Sequence, residues 1–392
     1  MRPVVAAVTP EAAAARARWQ RARNVLAVRL DNLGDVLMTS PAIAAIRETL
    51  PGARITLLGS PSGVALAAHL PMVDDAIEFR APWVKHPGHV NDAELGRAEG
   101  RVIDALAARR FDAAILFTTC TQSALPAAML CRLAGIPLRL AHSRENPYEL
   151  LSDWVPDPDT VRSGMRHETA RQLALVASVG LRSADERLRF EVGEPARRTL
   201  AGELRRLGLD PGQRYFVVHP GATAASRRYP APFFGAAADM LAQRTGLAAV
   251  FSGDGEEQGV IDEARCSMSG PSWSIGGRLG LGQLGALIDG AELLVSNNSG
   301  PVHIAAALGT PVVDVYALTN PQHTPWRVPA RVLTHDVPCR NCLKSVCPQR
   351  HHDCLVRIDP ARVAAAGLEL LRGDAVAPME APRASRALEA VA

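Results

Sequence analysis

Short apolar runs alternate with segments of helical periodicity along most of this chain. Each run ends in a loop rich in Gly, Asp, Asn or His. The runs lie at 25–30, 55–58, 76–79 and 113–117 in the first half and at 215–219, 248–251, 272–275, 293–295 and 312–316 in the second. Strands that alternate with helices form parallel sheets. The pattern therefore predicts an α/β fold with two doubly wound, Rossmann-like domains.

The domain boundaries follow from where this alternation starts, loosens and stops. Domains usually contain roughly 100 to 200 residues, so a chain of 392 residues is expected to form two. The alternation weakens between Asn146 and Arg187, where prolines accumulate, and resumes before Tyr215. We predict an N-terminal extension at 1–23, a first domain at 24–190, a second domain at 191–372 and a flexible tail at 373–392.

Composition excludes several classes of protein. The formal net charge of +3 is too small to indicate a nucleic-acid partner. No apolar run approaches the roughly eighteen residues of a membrane-spanning helix, and the N-terminus lacks the apolar centre of a secretory signal. A cytoplasmic location is therefore expected. A group of arginines near the N-terminus adds the hypothesis of a peripheral contact with the inner membrane: Arg2, Arg16, Arg18, Arg21, Arg23 and Arg29.

Ligands of doubly wound sheets bind beyond the carboxyl ends of the strands, so the loops after the apolar runs are the candidates for chemistry. The loop at 296–303 combines Asn298, Ser299, Gly300 and His303 just before an Ala-rich helix. Unpaired amides and the dipole at a helix start favour an anion such as phosphate. The alternative is a plain cap by Ser299 with a buried His303. The residues alone leave both interpretations open.

Two further loops of the second half carry polar groups. In the first, His219, Gly221 and Ala222 allow close approach of a ligand, and Arg227 could neutralise a diphosphate. The alternative is a solvated arginine pair on a surface turn. In the second, Glu257 follows a strand at a position where a carboxylate can accept from ribose hydroxyls, although capping of the next helix is equally ordinary.

The loop that ends the first strand contains Asp31 and Asp35. A carboxylate there could remove the proton from an attacking hydroxyl, as a general base does. Taken alone, a cap on the following helix is the favoured interpretation.

Three of these segments, taken in order, resemble glycosyltransferase family 9, the lipopolysaccharide heptosyltransferases. The resemblance runs from Asn24 to about Leu371 and rests on the segments 25–43, 219–230 and 297–311. It implies a GT-B fold whose two domains face across a cleft, with the acceptor on the first domain and the nucleotide sugar on the second. It also implies inversion at the anomeric carbon, an ADP-heptose donor and a glycolipid acceptor of the lipopolysaccharide inner core.

The resemblance also implies roles for individual residues. Asp35 matches the family's proposed base, and Glu257, or as the less favoured alternative Glu256, falls near the ribose carboxylate. Arg227 stands where relatives carry Lys, and Asn298 stands where Asp is usual. The residues expected to bind the donor are His219, Gly221, Ala222, Arg227, Glu257, Asn298, Ser299, Gly300 and His303.

The function predicted on this basis is metal-independent sugar transfer onto an envelope glycan by direct displacement. The Asp157-Pro158-Asp159 triplet could suggest a metal site, but its prolines suit an exposed turn. Two alternatives remain: a sugar-nucleotide hydrolase or epimerase with the same donor site, and a nonenzymatic sugar-nucleotide-binding protein.

The last chemical feature is a cluster of thiols at Cys339, Cys342, Cys347 and Cys354, with two histidines beside it. Four ligands that begin with a C-x-x-C pair are typical of structural zinc. The cluster predicts a structural zinc or iron ion with no part in catalysis, and reduced thiols or redox disulfides are the alternative.

Overall fold

The structure is a computed structural model that describes residues 10–84, 95–161, 165–210 and 212–373. The predicted tail and Arg2 therefore lie outside the described residues, apart from Gly373. The chain divides into two units. Unit 1 comprises the chain up to Pro158 together with Glu168–Glu191, and unit 2 comprises Asp159–His167 together with the chain from Val192 onward. The predicted boundary after residue 190 falls one residue before this division, and a short segment before Glu168 belongs to unit 2.

Unit 1 contains one sheet of six parallel strands in the order β3-β2-β1-β4-β5-β6. The strands are β1 Asn24–Arg29, β2 Arg54–Gly59, β3 Asp75–Glu78, β4 Ala113–Leu116, β5 Leu138–Ser143 and β6 Asp153–Pro156. The helices are α1 Pro10–Trp19, α2 Leu33–Thr49, α3 Pro61–Ala67, α4 Arg97–Arg109, α5 Leu125–Leu133 and α6 Glu168–Ser178. The central strands read as continuous apolar runs because helices bury both faces of a parallel sheet.

Helix α1 lies within the predicted N-terminal extension and packs on unit 1. Trp19 is fully buried, and its indole Nε1 donates to Asp153 Oδ2 at 3.0 Å. Arg18 pairs with the other oxygen of Asp153, and the Arg16 side chain lies beside Gly180. These two arginines of the proposed lipid-binding group thus contact the protein itself. In the described part of the chain, no helix combines the length and the apolar character needed to cross a bilayer.

Unit 2 repeats this topology with six parallel strands in the order β12-β11-β10-β7-β8-β9. The strands are β7 Tyr215–His219, β8 Ala248–Phe251, β9 Ser272–Ser274, β10 Leu294–Asn297, β11 Val312–Val315 and β12 Ala330–Leu333. The helices are α7 Glu194–Arg206, α8 Ala231–Thr245, α9 Gln258–Cys266, α10 Leu281–Asp289, α11 Gly300–Leu308, α12 Asp353–Val356 and α13 Pro360–Arg372. The predicted fold class of two doubly wound α/β domains is confirmed.

The strand orders determine which loops become neighbours. In unit 1 the chain winds one way from β1 and the other way from β4, which pair with each other, so the loops that follow these strands leave the sheet side by side. In unit 2 the same reversal lies between β7 and β10. Ligands of open α/β sheets bind at such reversal points. The predicted loops 31–35, 219–228 and 297–303 all follow one of these four strands.

Helices α8 and α9 lie close together at Gly235. A Cβ atom added there would lie 1.9 Å from the backbone oxygen of Ala264, which cannot move without shifting α9. We expect Gly235→Ala to lower the free energy of unfolding by about 1 to 3 kcal/mol, as overpacking of a core typically does. Thermal unfolding of the two proteins measures the effect.

Gly202 in α7 provides the matched control, since a Cβ atom there would meet nothing within 4 Å. Gly202→Ala should raise stability by about 0.5 to 1 kcal/mol because alanine loses less backbone entropy in a helix. Equal effects at the two positions would contradict the close approach of α8 and α9.

Candidate functional site

The candidate site of unit 1 is built around one buried guanidinium. Arg29 is the last residue of β1, and its side chain is fully buried. Its Nε lies 2.9 Å from Asp31, its Nη2 lies 3.2 Å from Asp35, and its Nη1 lies 2.8 Å from Glu168. Glu168 is the first residue of α6 and also accepts from Gln172 at 2.7 Å. A single cation thus holds three carboxylates.

The cluster changes the protonation of its members. Burial alone would lower the pKa of Arg29, but Asp31, Glu168 and Asp35 outweigh it, and the pKa rises above its ordinary value. Burial raises the pKa of Asp31 to about 6, with the Arg29 guanidinium acting in the opposite direction. Asp31 therefore holds a proton in mildly acidic solution, while Arg29 stays charged throughout.

Asp35 lies in the first turn of α2 and is bound by Arg29. The helix begins after Asn32 without a side-chain cap, so the capping role favoured for the aspartates of this loop is not what the structure shows. Asp35 keeps 15% of its side-chain surface exposed, whereas Arg29 and Glu168 keep none. A partly accessible carboxylate oriented by a cation suits a group that must meet a ligand.

A cavity of about 230 Å³ adjoins this cluster at the ends of β1 and β4. Asp31 and Gln122 line it, and Gln122 Nε2 donates to Asp31 Oδ1 at 2.6 Å. Trp83, Leu116 and Phe117 supply apolar surface. A cavity with an aromatic wall and a few polar groups is typical of a binding site for a small organic group.

The candidate site of unit 2 begins at the end of β7. His219 is buried, its Nδ1 lies 3.1 Å from Ser252 Oγ, and its Nε2 lies 3.6 Å from Glu257. Burial lowers the pKa of His219 to about 4, so the ring is neutral near pH 7. A Cβ atom on Gly221 would lie 1.9 Å from Glu257 Oε1. Glycine is therefore required for the carboxylate of Glu257 to lie against the backbone here.

The alternative role of Glu257 as an ordinary helix cap belongs instead to its neighbour. Asp254 Oδ1 accepts from the amides of Glu256 and Glu257 at 2.9 and 3.0 Å before α9 begins. Glu257 Oε2 accepts from the Asp254 amide at 3.0 Å, and its other oxygen faces Gly221. Burial raises the pKa of Glu257.

The loop after β7 is held by hydrogen bonds from other parts of unit 2. Asn297, at the end of β10, donates to the Pro220 oxygen at 2.7 Å and accepts from the Tyr229 amide at 2.9 Å. Arg228 Nε donates to the Ala222 oxygen at 2.7 Å, so this arginine braces the loop. Both ends of the loop are thereby fixed beside the start of α11.

Arg227 ends a short 3₁₀ helix, Ala225–Arg227, within this loop. Its Nε is buried, and no hydrogen-bond partner for it is found among the described residues. Ser226 fixes the 3₁₀ helix, because its hydroxyl donates to the Lys344 oxygen at 2.6 Å and its amide donates to the Ser345 oxygen at 3.0 Å. Arg227 is thus an anchored cation and not a solvated surface residue.

The start of α11 has the features of an anion site. Ser299 occupies the N-cap position but makes no side-chain cap, and its hydroxyl donates back to the Asn297 oxygen at 3.2 Å. The helix then begins at Gly300, which brings no side chain. His303 in the first turn is buried, and its Nδ1 is without a hydrogen-bond partner in the described part of the chain. Burial, followed by the charges of His323, His167 and Arg227, lowers the pKa of His303 to about 3.

Asn298 is buried, and both of its amide protons are occupied. Its Nδ2 donates to Asp314 Oδ2 at 2.8 Å and to the His323 oxygen at 2.9 Å. Asp314 lies in β11, in register with Ser296 of β10, and is fully buried. Burial raises the pKa of Asp314 to about 8, while Asn298 and Arg227 act in the opposite direction.

The sequence analysis placed Arg29 only in the proposed lipid-binding group, from which its full burial excludes it. Four residues that organise these two sites were therefore not predicted as site residues: Arg29, Glu168, Ser226 and Asp314. Two of them had a signal in the sequence. Arg29 and Asp314 are charged residues inside strands that are otherwise apolar, and a charge in such a strand is rarely buried without a partner. Nothing local marked Glu168 or Ser226, because their partners lie more than one hundred residues away in the chain.

The cysteine cluster does not form a ready metal site. All four thiols are free and partly buried, and Cys339 Sγ lies 3.8 Å from His351 Nε2. Within the described ranges, no three His, Cys, Asp or Glu side chains are placed to hold a metal ion. Burial, followed by the neighbouring thiols, raises the pKa of Cys354 to about 11. The thiols as placed do not fit a bound ion, and the zinc or iron ion stays a prediction.

Two six-stranded parallel sheets, each with polar loops at its reversal point, are the architecture of the GT-B class. The sequence profile described as "Glycosyltransferase family 9 (heptosyltransferase)" matches residues 100–352. The chain belongs to glycosyltransferase family 9, and the predicted family and enzyme class are confirmed.

Relatives and solved structures agree with this assignment. Lipopolysaccharide heptosyltransferase 3 of Escherichia coli is 24% identical over 301 residues, which cover 75% of this chain and 83% of the relative. The structure of E. coli ADP-heptose lps heptosyltransferase II matches with a TM-score of 0.70 at 22% identity, over 89% of this chain and 99% of that one. The structure of E. coli heptosyltransferase WaaC with ADP-2-deoxy-2-fluoro heptose matches with a TM-score of 0.60 at 18% identity, over 87% of this chain and 98% of that one.

The raised pKa of Asp314 makes a prediction about stability and pH. A carboxyl group with an ordinary pKa near 3.8 when unfolded and about 8 when folded binds its proton more tightly in the folded state. Stability is then lost as the pH rises from about 4 to 8, by up to about 1.4 kcal/mol per pH unit. Asp314→Asn removes this titration. Chemical denaturation at pH 5, 6, 7 and 8 should show the wild type losing stability relative to the variant as pH rises, and parallel curves would contradict a buried titrating Asp314.

Proposed function

We propose that this enzyme transfers a heptose from ADP-heptose to a glycolipid acceptor of the lipopolysaccharide inner core, with inversion at the anomeric carbon. The observation that carries the proposal is the start of α11 in unit 2. An uncapped helix end stands next to Arg227 and His303, each with a buried nitrogen that lacks a hydrogen-bond partner among the described residues. A diphosphate supplies the charge and the acceptor oxygens that this arrangement favours.

The choice of ADP and heptose is supported by two solved relatives whose names include ADP-heptose or its fluorinated analogue. In unit 2, Glu257 lies against Gly221 at the end of β7, a place where a carboxylate can accept from ribose hydroxyls. The small residues Gly221 and Ala222 leave room for a nucleotide to approach the backbone. Transfer to this lipid acceptor would take place at the cytoplasmic face of the inner membrane.

In the proposed reaction the acceptor hydroxyl loses its proton to Asp35 as its oxygen attacks the anomeric carbon. The bond between that carbon and the diphosphate oxygen breaks, and ADP leaves with the bonding electrons. Arg227, His303 and the amides at the start of α11 stabilise the charge that develops on the leaving diphosphate. Arg29 holds Asp35 in its orientation through the contact at 3.2 Å.

The proposed displacement needs no cofactor. The two aspartates that could suggest a metal site each pair with an arginine. Asp157 lies 2.7 Å from Arg171 in unit 1, and Asp159 lies 2.7 Å from Arg166 in unit 2. Each of the two carboxylates is thus paired with a guanidinium group.

The proposed base gives a direct test. Asp35→Asn is nearly isosteric but cannot accept the proton, so kcat should fall by about 10² to 10⁴. The affinity for ADP-heptose should change little, because the donor contacts proposed here belong to unit 2. Asp104→Asn, at an exposed position of α4, is the control and should keep full activity. Steady-state kinetics and calorimetric titration of donor separate the two effects, and a D35N variant that retains turnover would exclude Asp35 as the base.

The donor is tested by binding. At a concentration one hundred times its Kd, the correct nucleotide sugar should stabilise the folded enzyme by about 2.7 kcal/mol. A thermal-unfolding panel of ADP-heptose, ADP-glucose, UDP-glucose and UDP-N-acetylglucosamine should show the largest shift with ADP-heptose. A larger stabilisation by a UDP-sugar would contradict the proposal that ADP-heptose is the donor. Product analysis with and without a deacylated core acceptor then separates transfer from hydrolysis and epimerisation.

A further inference from the structure

Asp314 forms the buried end of a hydrogen-bonded pair with Asn298. Asn298 is 1% exposed and Asp314 is 0% exposed, so the hydrogen bond between them is shielded from water. The amide nitrogen of Asn298 lies 2.8 Å from Asp314 Oδ2 and 2.9 Å from the backbone oxygen of His323. Both partners accept hydrogen bonds.

These two contacts determine which way the Asn298 side chain faces. A primary amide has two N–H donors and one carbonyl oxygen. Both donors are used by Asp314 and His323, and a rotation of the amide by 180° would place its oxygen against two other oxygens. The carbonyl oxygen Oδ1 is therefore the polar atom that Asn298 offers to anything outside this pair.

We propose that Asp314 is a positioning residue that locks the Asn298 amide, so that the loop before α11 presents a hydrogen-bond acceptor to a hydroxyl group on the donor's sugar. The inference rests on the proposed function. It assigns a role to Asp314, which does not touch the donor, and it gives a physical reason for an amide at position 298.

The chemistry separates this contact from those made to the diphosphate. A carbonyl oxygen repels a phosphate oxygen but accepts readily from a hydroxyl group, so Asn298 is suited to the sugar. Nitrogen donors serve the diphosphate, and Arg227 and His303 each have a buried nitrogen without a partner among the described residues. The loop thus divides its polar groups between the two halves of a nucleotide sugar.

The pair also accounts for the departure of this chain from its family. The resemblance leads us to expect Asp at 298, a residue that offers acceptor oxygens alone. Asn298, with its nitrogen held by Asp314, likewise offers only an acceptor oxygen to the ligand. The carboxylate of this chain lies instead at the buried Asp314 in β11. Asp314 keeps this role in either protonation state, because its second oxygen Oδ1 can carry the proton while Oδ2 still accepts.

The test compares ADP-heptose with ADP, which lacks the sugar, in calorimetric titrations of the full-length enzyme. Asp314→Leu removes the acceptor behind Asn298. The affinity for ADP-heptose should fall about five- to tenfold, which corresponds to the loss of one oriented hydrogen bond. The affinity for ADP should stay within twofold. Asp314→Asn keeps an oxygen that can accept from Asn298 and should retain ADP-heptose affinity within twofold. An equal loss of ADP and ADP-heptose in D314L would mean a general structural role and would overturn the proposal, as would a selective loss in D314N as large as in D314L.

A double-mutant cycle tests whether Asp314 acts through Asn298. Asn298→Leu should lower the affinity for ADP-heptose but not the affinity for ADP. Adding Asp314→Leu to this variant should cause no further loss of affinity. Additive losses of affinity would show that Asp314 acts independently of Asn298 and would contradict the inference. If D314L folds poorly on its own, Asp314→Val takes its place in both the titrations and the cycle, since valine suits a buried strand. A wild-type enzyme that binds neither ADP nor ADP-heptose would refute the proposed function itself, whereas normal ADP binding with unchanged sugar preference in every variant refutes this inference alone.

Discussion

Each unit depends on the reversal of winding between two adjacent central strands. In unit 2, β7 and β10 are neighbours although about seventy-five residues separate them, and each sends its next helix away from the other. Backbone pairing fixes the register of these strands, with Leu294 opposite Val217. The loops that follow must therefore emerge within reach of each other, whatever their sequences. Asn297 uses this proximity directly, because it binds the Pro220 oxygen and the Tyr229 amide from the end of the neighbouring strand.

Burying a polar group at these reversal points costs free energy unless the group is hydrogen-bonded or paired with an opposite charge. The two units meet this requirement in different ways. Unit 1 gathers three carboxylates on Arg29. Removing that cation would leave uncompensated charge in a buried place, which typically costs about 3 to 5 kcal/mol. Unit 2 relies on neutral groups. His219 and His303 are uncharged near pH 7, and the Asp314 carboxyl holds its proton more tightly than usual. The first arrangement orients Asp35, and the second leaves a buried nitrogen of Arg227 and of His303 without a partner among the described residues.

The sequence predicted the architecture well because the apolar runs are long, regular and separated by loops of ordinary length. It also placed the candidate loops correctly at strand ends, since that position depends on local pattern alone. It could not show that Arg29 lies between Asp31, Asp35 and Glu168, because Glu168 is brought there from 139 residues away. Nor could it show that Asn298 is held by Asp314, since register between β10 and β11 decides that contact. The residues alone left capping by Ser299 open and favoured it for an aspartate of the first loop, and the structure shows neither cap. The Ser299 hydroxyl donates to the Asn297 oxygen, and Asp35 accepts from Arg29.

The cysteine-rich segment has an unusual backbone and contacts two other loops of unit 2. Asn341, Leu343, Arg350 and His352 all have left-handed backbone conformations, which cost roughly 1 to 2 kcal/mol at residues other than glycine. Such a backbone persists where its surroundings fix it. Here it is fixed by the loops it supports: the amides of Asn341 and Leu343 donate to the oxygens of Leu318 and Thr319, and Lys344 and Ser345 accept from Ser226. The segment therefore bridges the loop that carries Arg227 and the chain that follows β11.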